Sequence, residues 1–166
     1  MQSNKWSSAI VSGLLLALIT IAVMAIRYTL APTGIVSILI WLIKIVASIW
    51  LLYYLIKEFA KPADIFTYKD GFIYGSIVCL VSTVVCTLAT LIFMYIFADS
   101  INAQMETAMS MVGSSNPEAV EKLAEWMKSG LLTVIACVGS FVWLYLFGII
   151  ASAILANFTK KGSVVF

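Results

Sequence analysis

Lys44 has the clearest chemical potential in this chain, because it is the only charged residue between Arg27 and Lys57. Its neighbours are almost all apolar, so the sequence places an amine inside a hydrophobic segment. A lysine at the centre of a bilayer costs about 2.5–3.5 kcal/mol on insertion scales. Such an amine either binds an anion, a lipid headgroup or a partner's carboxylate, or it is accommodated by snorkelling, by becoming neutral or by hydroxyl partners.

Hydroxyl side chains on a later apolar segment are the predicted partners of this amine. Ser82, Thr83 and Thr87 lie at a depth comparable to that of Lys44 if both segments cross a membrane. Their face could line a polar pathway, or it could pack helices through small residues and hydrogen bonds of about 0.6 kcal/mol each. Transporters usually place carboxylates or broken helices in the membrane, and this segment shows neither, so packing is favoured.

Other chemistry has little support in the sequence. The chain has no histidine, which is the commonest general base and metal ligand. Its three cysteines fall in apolar segments, where buried thiols act as small apolar residues. A mixed-charge cluster over 57–70 lacks paired carboxylates and a phosphate-binding loop. We predict that the protein is not an enzyme and uses no cofactor or metal, and the net charge of +2 does not indicate nucleic-acid binding.

The composition indicates which elements must position these residues. The chain is 63% hydrophobic and 11% charged, with a mean hydropathy of +1.07, whereas soluble domains are about a quarter charged. Long uncharged runs without strict alternation favour membrane helices over a barrel. We predict an all-α membrane protein, a bundle of four transmembrane helices in a single domain, 1–166. The spans cover about 7–26, 35–56, 71–98 and 130–158.

The first apolar run has a second interpretation, a cleaved signal peptide. The apolar part of a signal peptide usually covers about 7–15 residues before a small-residue cleavage site. The run over 7–26 is longer, and the only candidate small residue, Ala31, is followed by Pro32. We therefore favour a retained span.

Small residues recur at every fourth position in the third and fourth spans. The series contains Gly71, Gly75 and Cys79 in the third span, and Gly148, Ser152 and Ala156 in the fourth. Residues four apart lie on one helix face, and small residues there let two helix backbones approach closely. We predict that these faces pack helices, and that they provide the lateral contact of a homo-oligomer.

The segment 99–129 is the one substantial stretch outside the predicted spans. Apolar residues recur at helical spacing over 101–112, a Gly-Ser-Ser break follows, and Asn116 before Pro117 is a typical helix start. We predict a short extracytoplasmic amphipathic helical hairpin between spans three and four. It could be a cap on the membrane surface or a surface that binds a partner.

The distribution of lysine and arginine predicts the orientation, because these residues concentrate on the cytoplasmic side. One side of the predicted bundle holds Lys5, Lys57, Lys61, Lys69, Lys160 and Lys161, and the other holds Arg27, Lys122 and Lys128. We therefore predict a multi-pass protein of the bacterial inner membrane with both termini in the cytoplasm.

Three stretches resemble the DUF4199 family of uncharacterised bacterial membrane proteins, common in Bacteroidetes. The first is 52–59 at the end of span two, and the second is 66–75 at the entry to span three. The third is the Met/Glu-rich outer segment together with 147–156 of the last span that follows it. The resemblance implies four spans in the inner membrane and an association with polyprenyl-phosphate glycosyltransferases. It implies no established activity, so no catalytic residue is carried over. Lys44 departs from the family pattern.

These observations predict a non-catalytic integral membrane protein that serves as an accessory or interaction subunit of a membrane complex. Its partners would be the lipid bilayer and either further copies of the chain or another membrane protein. One alternative, suggested by the resemblance, is a membrane partner of a polyprenyl-phosphate glycosyltransferase that handles lipid-linked sugar. Another is a small transporter that uses Lys44. A co-purified subunit, a co-purified glycosyltransferase and flux through liposomes would distinguish these three hypotheses.

Overall fold

Four long helices and no strand make up the described part of the chain. The structure is a computed structural model that describes residues 2–30, 35–99, 101, 103, 122, 125 and 130–160. The helices are α1 (Gln2–Leu30), α2 (Ile35–Ala60), α3 (Tyr68–Ile96) and α4 (Leu131–Thr159). Each is long and apolar enough to cross a membrane, which confirms the prediction of an all-α protein with four apolar helices. The hairpin predicted over 99–129 lies, apart from isolated residues, outside the described residues.

Helices α2 and α3 extend beyond the predicted spans where the local sequence favours a helix. Helix α2 continues to Ala60 and ends shortly before Pro62, which disfavours a helical conformation at the preceding residue. Helix α3 begins at Tyr68 because Thr67 and Asp70 form a capping box. The Thr67 hydroxyl accepts a hydrogen bond from the Asp70 backbone at 3.2 Å, and the Asp70 carboxylate accepts one from the Thr67 backbone at 3.3 Å.

Helix α3 is the main packing element of the bundle. It packs extensively against α1 on one side and α4 on the other, whereas α2 lies opposite α3 and contacts mainly α1 and α4. The buried residues of α3 extend from Gly71 to Thr90. Those of α2 are confined to its C-terminal half, from Leu52 to Ala60. The first half of α2 therefore packs less closely on the bundle than the second half.

The contact between α1 and α3 combines a close backbone approach with hydroxyl groups. A Cβ added to Gly13 would lie 2.7 Å from the Cβ of Val81, so the two helices meet there without room for a larger residue. The Tyr74 hydroxyl lies within hydrogen-bond distance of two α1 hydroxyls, those of Ser12 at 2.9 Å and Ser8 at 3.1 Å. Phe59 of α2 stacks on the Tyr74 ring with centroids 3.9 Å apart, which joins three helices at one end of the bundle.

Replacing Tyr74 with Phe is expected to destabilise the bundle modestly. The substitution keeps the ring stacked on Phe59 and removes only the hydroxyl that meets Ser8 and Ser12. Interhelical hydrogen bonds of this kind average about 0.6 kcal/mol and reach about 1.7 kcal/mol. Unfolding by denaturing detergent in mixed micelles would measure the loss. Tyr95→Phe is the matched control, because the Tyr95 side chain is 88% exposed; equal losses in both variants would contradict the assigned role.

The small residues predicted to pack helices face each other across the α3–α4 interface. A Cβ added to Gly71 would lie 3.3 Å from the Cβ of Ala156, and one added to Gly75 would lie 2.9 Å from the Cβ of Ser152. One added to Gly148 would lie 2.7 Å from the Cβ of Cys79. Each four-residue step forward on α3 thus meets a four-residue step backward on α4, as in an antiparallel pair. These faces are occupied within the chain, so the lateral contact of a homo-oligomer assigned to them above would need another surface.

Candidate functional site

A cavity of about 310 Å³ lies between the four helices. We call it the central cavity. Its polar lining consists of one amine with hydroxyls and thiols, contributed by Thr20, Lys44, Ser48, Cys79, Ser82, Thr83 and Cys86. Three of the four residues predicted as an intramembrane polar site, Lys44, Ser82 and Thr83, therefore line one space. The fourth, Thr87, is not among the lining residues, and its hydroxyl donates to the Thr83 carbonyl at 2.9 Å.

Helical periodicity explains how α2 and α3 present these side chains. On α2, Trp41, Lys44 and Ser48 follow at steps of three and four residues, so they lie on one face. On α3, Ser82 and Cys86 are four apart and share a face in the same way. Since α2 lies opposite α3 in the bundle, the amine of one helix faces the hydroxyls of the other.

The walls of the cavity differ in their packing. On α1 and α3 the lining is buried; Thr20 is 6% exposed and Thr83 is 3% exposed. On α2 and α4 two lining tryptophans also reach the surface, because Trp41 is 50% exposed and Trp143 is 71% exposed. We call this α2–α4 side, marked by the two tryptophans, the lateral opening. It faces the lipid if the helices cross a membrane.

The electrostatic character of the cavity is positive. Lys44 is half-buried, and Arg27 of α1 lies close enough to interact with it electrostatically. Among the residues that the structure describes, none that lines the cavity is acidic. Lys44 lies about 13 Å along the axis from the start of α2, at about 1.5 Å per residue. The first half of α2, which contains Lys44, lies at the same end of the bundle as Arg27 near the end of α1.

The mixed-charge cluster at the other end of the bundle has structural contacts. Lys61 forms an ion pair with Glu58 at 2.6 Å, and this hydrogen bond raises the pKa of Lys61 above its ordinary value. The Lys57 amine lies 5.7 Å from the centre of the Tyr53 ring. Asp70 belongs to the capping box of α3. These contacts account for several of its charges without an interfacial acid or base.

The three cysteines are free and buried. The thiol of Cys86 donates to the Ala17 carbonyl at 4.0 Å, and that of Cys79 lies 3.6 Å from the Ser152 hydroxyl. Both thiols thereby join neighbouring helices. Within the described ranges, no group of three His, Cys, Asp or Glu side chains could hold a metal ion.

Several residues of the cavity were missed by the sequence analysis. Trp41 and Ser48 could have been found from Lys44, because they lie at helical steps from it on the same face. Thr20 and Trp143 carry no such signal. Their place at the cavity depends on how α1 and α4 pack, which no local pattern in the sequence reports.

Four long apolar helices around a partly polar cavity define a multi-pass integral membrane protein. The family described as "Protein of unknown function (DUF4199)" matches residues 9–161, so the chain belongs to this family. No curated protein and no solved structure with which the chain was compared matches it. The family description assigns no activity, and the function therefore has to be argued from the site.

Proposed function

We propose that the protein is a non-catalytic accessory subunit of the bacterial inner membrane that binds an anionic group at Lys44. One observation carries this proposal: Lys44 lines a cavity to which all four helices contribute, and none of the described residues that line it is acidic. A charged amine at this depth costs about 2.5–3.5 kcal/mol on insertion scales. An anion supplied from outside the chain would offset that cost.

The chemistry of the lining supports binding rather than catalysis. General acid–base catalysis relies mostly on histidine or on carboxylates with tuned pKa values. The cavity offers hydroxyls, thiols and one amine, and the chain has no histidine. Hydroxyls and an ammonium group are good donors to an anion and poor proton acceptors. The site is therefore suited to hold an anion.

The continuity of the helices supports a stationary site over a transport pathway. Secondary transporters typically bind their substrates at interrupted helices in repeated halves. Helices α1 to α4 each extend without interruption past the level of the cavity. A protein that holds an anion without transforming or moving it acts by presenting it to another protein, or by being held by that protein's own carboxylate. This is the basis for the accessory role.

The test is to identify what remains bound to Lys44 when the protein is purified gently from its native membrane. Native mass spectrometry of the wild type is expected to show an anionic adduct or an acidic partner subunit, and Lys44→Met should lose it. Lys57→Met is the matched control, with the same substitution on the same helix but outside the cavity. The same spectra report oligomeric state and any glycosyltransferase that co-purifies. Equal retention in the wild type and Lys44→Met would refute the proposal.

The orientation gives a second prediction. Lys57 lies near the end of α2, Lys61 in the connector and Lys69 at the start of α3. Lys160 follows α4 at the same end of the bundle. Because lysines concentrate on the cytoplasmic side, we propose that both termini lie in the cytoplasm. A fluorescent reporter that matures only in the cytoplasm should be active when fused to either terminus, and an alkaline phosphatase fusion there should be inactive. The reverse pattern would overturn this orientation.

A further inference from the structure

We propose that the ligand of the central cavity is an anionic amphiphile whose hydrocarbon chain leaves through the lateral opening. The inference rests on the proposed anion site at Lys44 and names the class of molecule that fills it. It concerns a molecule with one acidic head, carboxylate or phosphate, and at least one long chain.

The head of such a molecule matches the polar part of the cavity. The Lys44 amine would hold the negative charge, with Arg27 adding a second positive charge at electrostatic range. Hydroxyls of Ser48, Ser82 and Thr83 line the same space and can donate to the remaining oxygens. Hydrogen bonds to a charged group are stronger than those between neutral groups. A neutral head would leave the amine without a counter-charge.

The apolar lining accounts for the hydrocarbon chain. Apart from the polar groups, the cavity is lined by large apolar side chains, among them Trp41, Ile45, Leu144 and Phe147. A small inorganic anion would leave these surfaces uncovered. At about 310 Å³ the cavity lies at the low end of the range for sites that hold one small molecule. It can therefore enclose a head and the first part of a chain, and the rest of the chain has to leave it.

The packing of the bundle determines where the hydrocarbon chain of the ligand leaves the cavity. The α1–α3 side is closed, because Gly13 brings the backbones together and the Tyr74 hydroxyl meets Ser12. The α3–α4 side is closed by the paired small residues, which continue to Gly148 at the cavity itself. Between α2 and α4 the lining tryptophans are exposed, and the first half of α2 has no buried residue. The lateral opening is thus the exit that leads directly into the acyl chains of a bilayer.

Tryptophan fluorescence tests the inference, because bromine atoms on an acyl chain quench a nearby indole. Trp143 at the lateral opening would be kept as the only tryptophan, in protein reconstituted into phosphatidylcholine vesicles. Dibromostearic acid is expected to quench it saturably, with an apparent Kd about tenfold lower than that of uncharged dibromostearyl alcohol. Brominated phosphatidic acid against brominated phosphatidylcholine forms the phosphate arm. Whichever arm shows the charge preference identifies the head as carboxylate or phosphate.

The controls separate binding from simple partition into lipid. A protein that keeps only Trp50, which is 65% exposed on α2 and does not line the cavity, should show unsaturable quenching alone. Lys44→Met should abolish the charge preference, and Lys44→Arg, which keeps the charge, should retain it. Circular dichroism of each variant verifies that its helices are intact.

The remaining outcomes overturn the inference in distinguishable ways. In both arms, equal quenching by the probe with an anionic head and by its counterpart without net charge would show that no anionic head is recognised. Butyrate has the same head as a fatty acid but almost no chain. If butyrate alone stabilised the protein against heating in a Lys44-dependent manner, and neither brominated probe quenched Trp143 saturably, the anion site would stand and the amphiphile would be excluded. If neither butyrate nor the amphiphiles gave any Lys44-dependent effect, and an acidic partner subunit was found instead, the amphiphile would likewise be excluded.

Discussion

Replacing Gly75 with Leu is expected to lower the free energy of unfolding by about 3 kcal/mol, the upper part of the usual range for overpacking. A Cβ at this position would lie 2.7 Å from the Ser152 hydroxyl oxygen and 3.1 Å from the Ile56 methyl group. The rest of a leucine side chain has no space between α3 and α4. The two helices must separate, which also uncouples the neighbouring contacts of Gly71 with Ala156 and of Cys79 with Gly148. Unfolding by denaturing detergent in mixed micelles, followed by circular dichroism, measures the loss.

A matched control and a compensating change make this prediction specific. Gly139→Leu introduces the same side chain on α4 where nothing lies within 4 Å of the added Cβ, so it should change stability little. Gly75→Ala alone should be destabilising, and combining it with Ser152→Gly should recover part of the loss because the opposing side chain is removed. If Gly139→Leu were as damaging as Gly75→Leu, the loss would not report interhelical packing at Gly75, because leucine is the better helix former at both positions.

The elements of the fold could be predicted from local patterns, but their pairing could not. Hydropathy located four helices because each span requires a long apolar run. Spacing of four residues identified the small faces around Gly75 and Ser152, since that spacing is a property of a single helix. Whether such a face meets another helix of the same chain or a second copy depends on tertiary structure. The sequence therefore predicts both helix packing and lateral contact for these faces, whereas the structure places them between α3 and α4 of one chain.

The candidate site could likewise be predicted only as far as local patterns in the sequence reach. Lys44 stood out because a charge in an apolar run is visible in the sequence, and comparable depth suggested Ser82 and Thr83. Depth alone does not determine which way a hydroxyl faces. The predicted polar site therefore also includes Thr87, which does not line the cavity. Trp143 and Thr20 come from helices whose packing no local pattern reports. The cavity as a space could not be predicted, because it arises where the packing of α2 is incomplete.

The closely packed α3–α4 interface at one end of the bundle continues into the wall of the central cavity. Cys79 and Gly148 belong to both, since they form the last pair of small residues in the α3–α4 interface and also line the cavity. Toward the connector, Ile56 of α2 packs onto the same interface. N-terminal to Leu52, α2 contributes no buried residue, and the space between it and α3 is the cavity. The tight α3–α4 interface therefore fixes the position of the cavity wall opposite Lys44.

Replacing Lys44 with Leu is expected to improve membrane insertion and to abolish ligand binding. Exchanging a central lysine for leucine favours insertion of α2 by about 3 kcal/mol on the biological scale. In the absence of ligand, the variant should be at least as stable as the wild type, because an unneutralised charge has been removed. With an anionic ligand at about a hundred times its Kd, the wild type should gain about 2.7 kcal/mol and the variant nothing. Thermal unfolding without and with added dibromostearic acid measures the ligand-free stability and the ligand-dependent gain.

Two further variants separate the charge of Lys44 from its volume and from lysine in general. Lys44→Arg keeps a positive charge in the cavity and should retain ligand-dependent stabilisation, although its planar group changes the geometry. Lys57→Leu removes a lysine outside the cavity and should leave the ligand-dependent gain unchanged. A Lys44→Leu protein that was stabilised by the ligand as much as the wild type would show that the lysine is only accommodated by its surroundings. The combination of a more stable ligand-free protein and a lost ligand response is expected only if Lys44 is kept for binding, because packing alone favours leucine at this position.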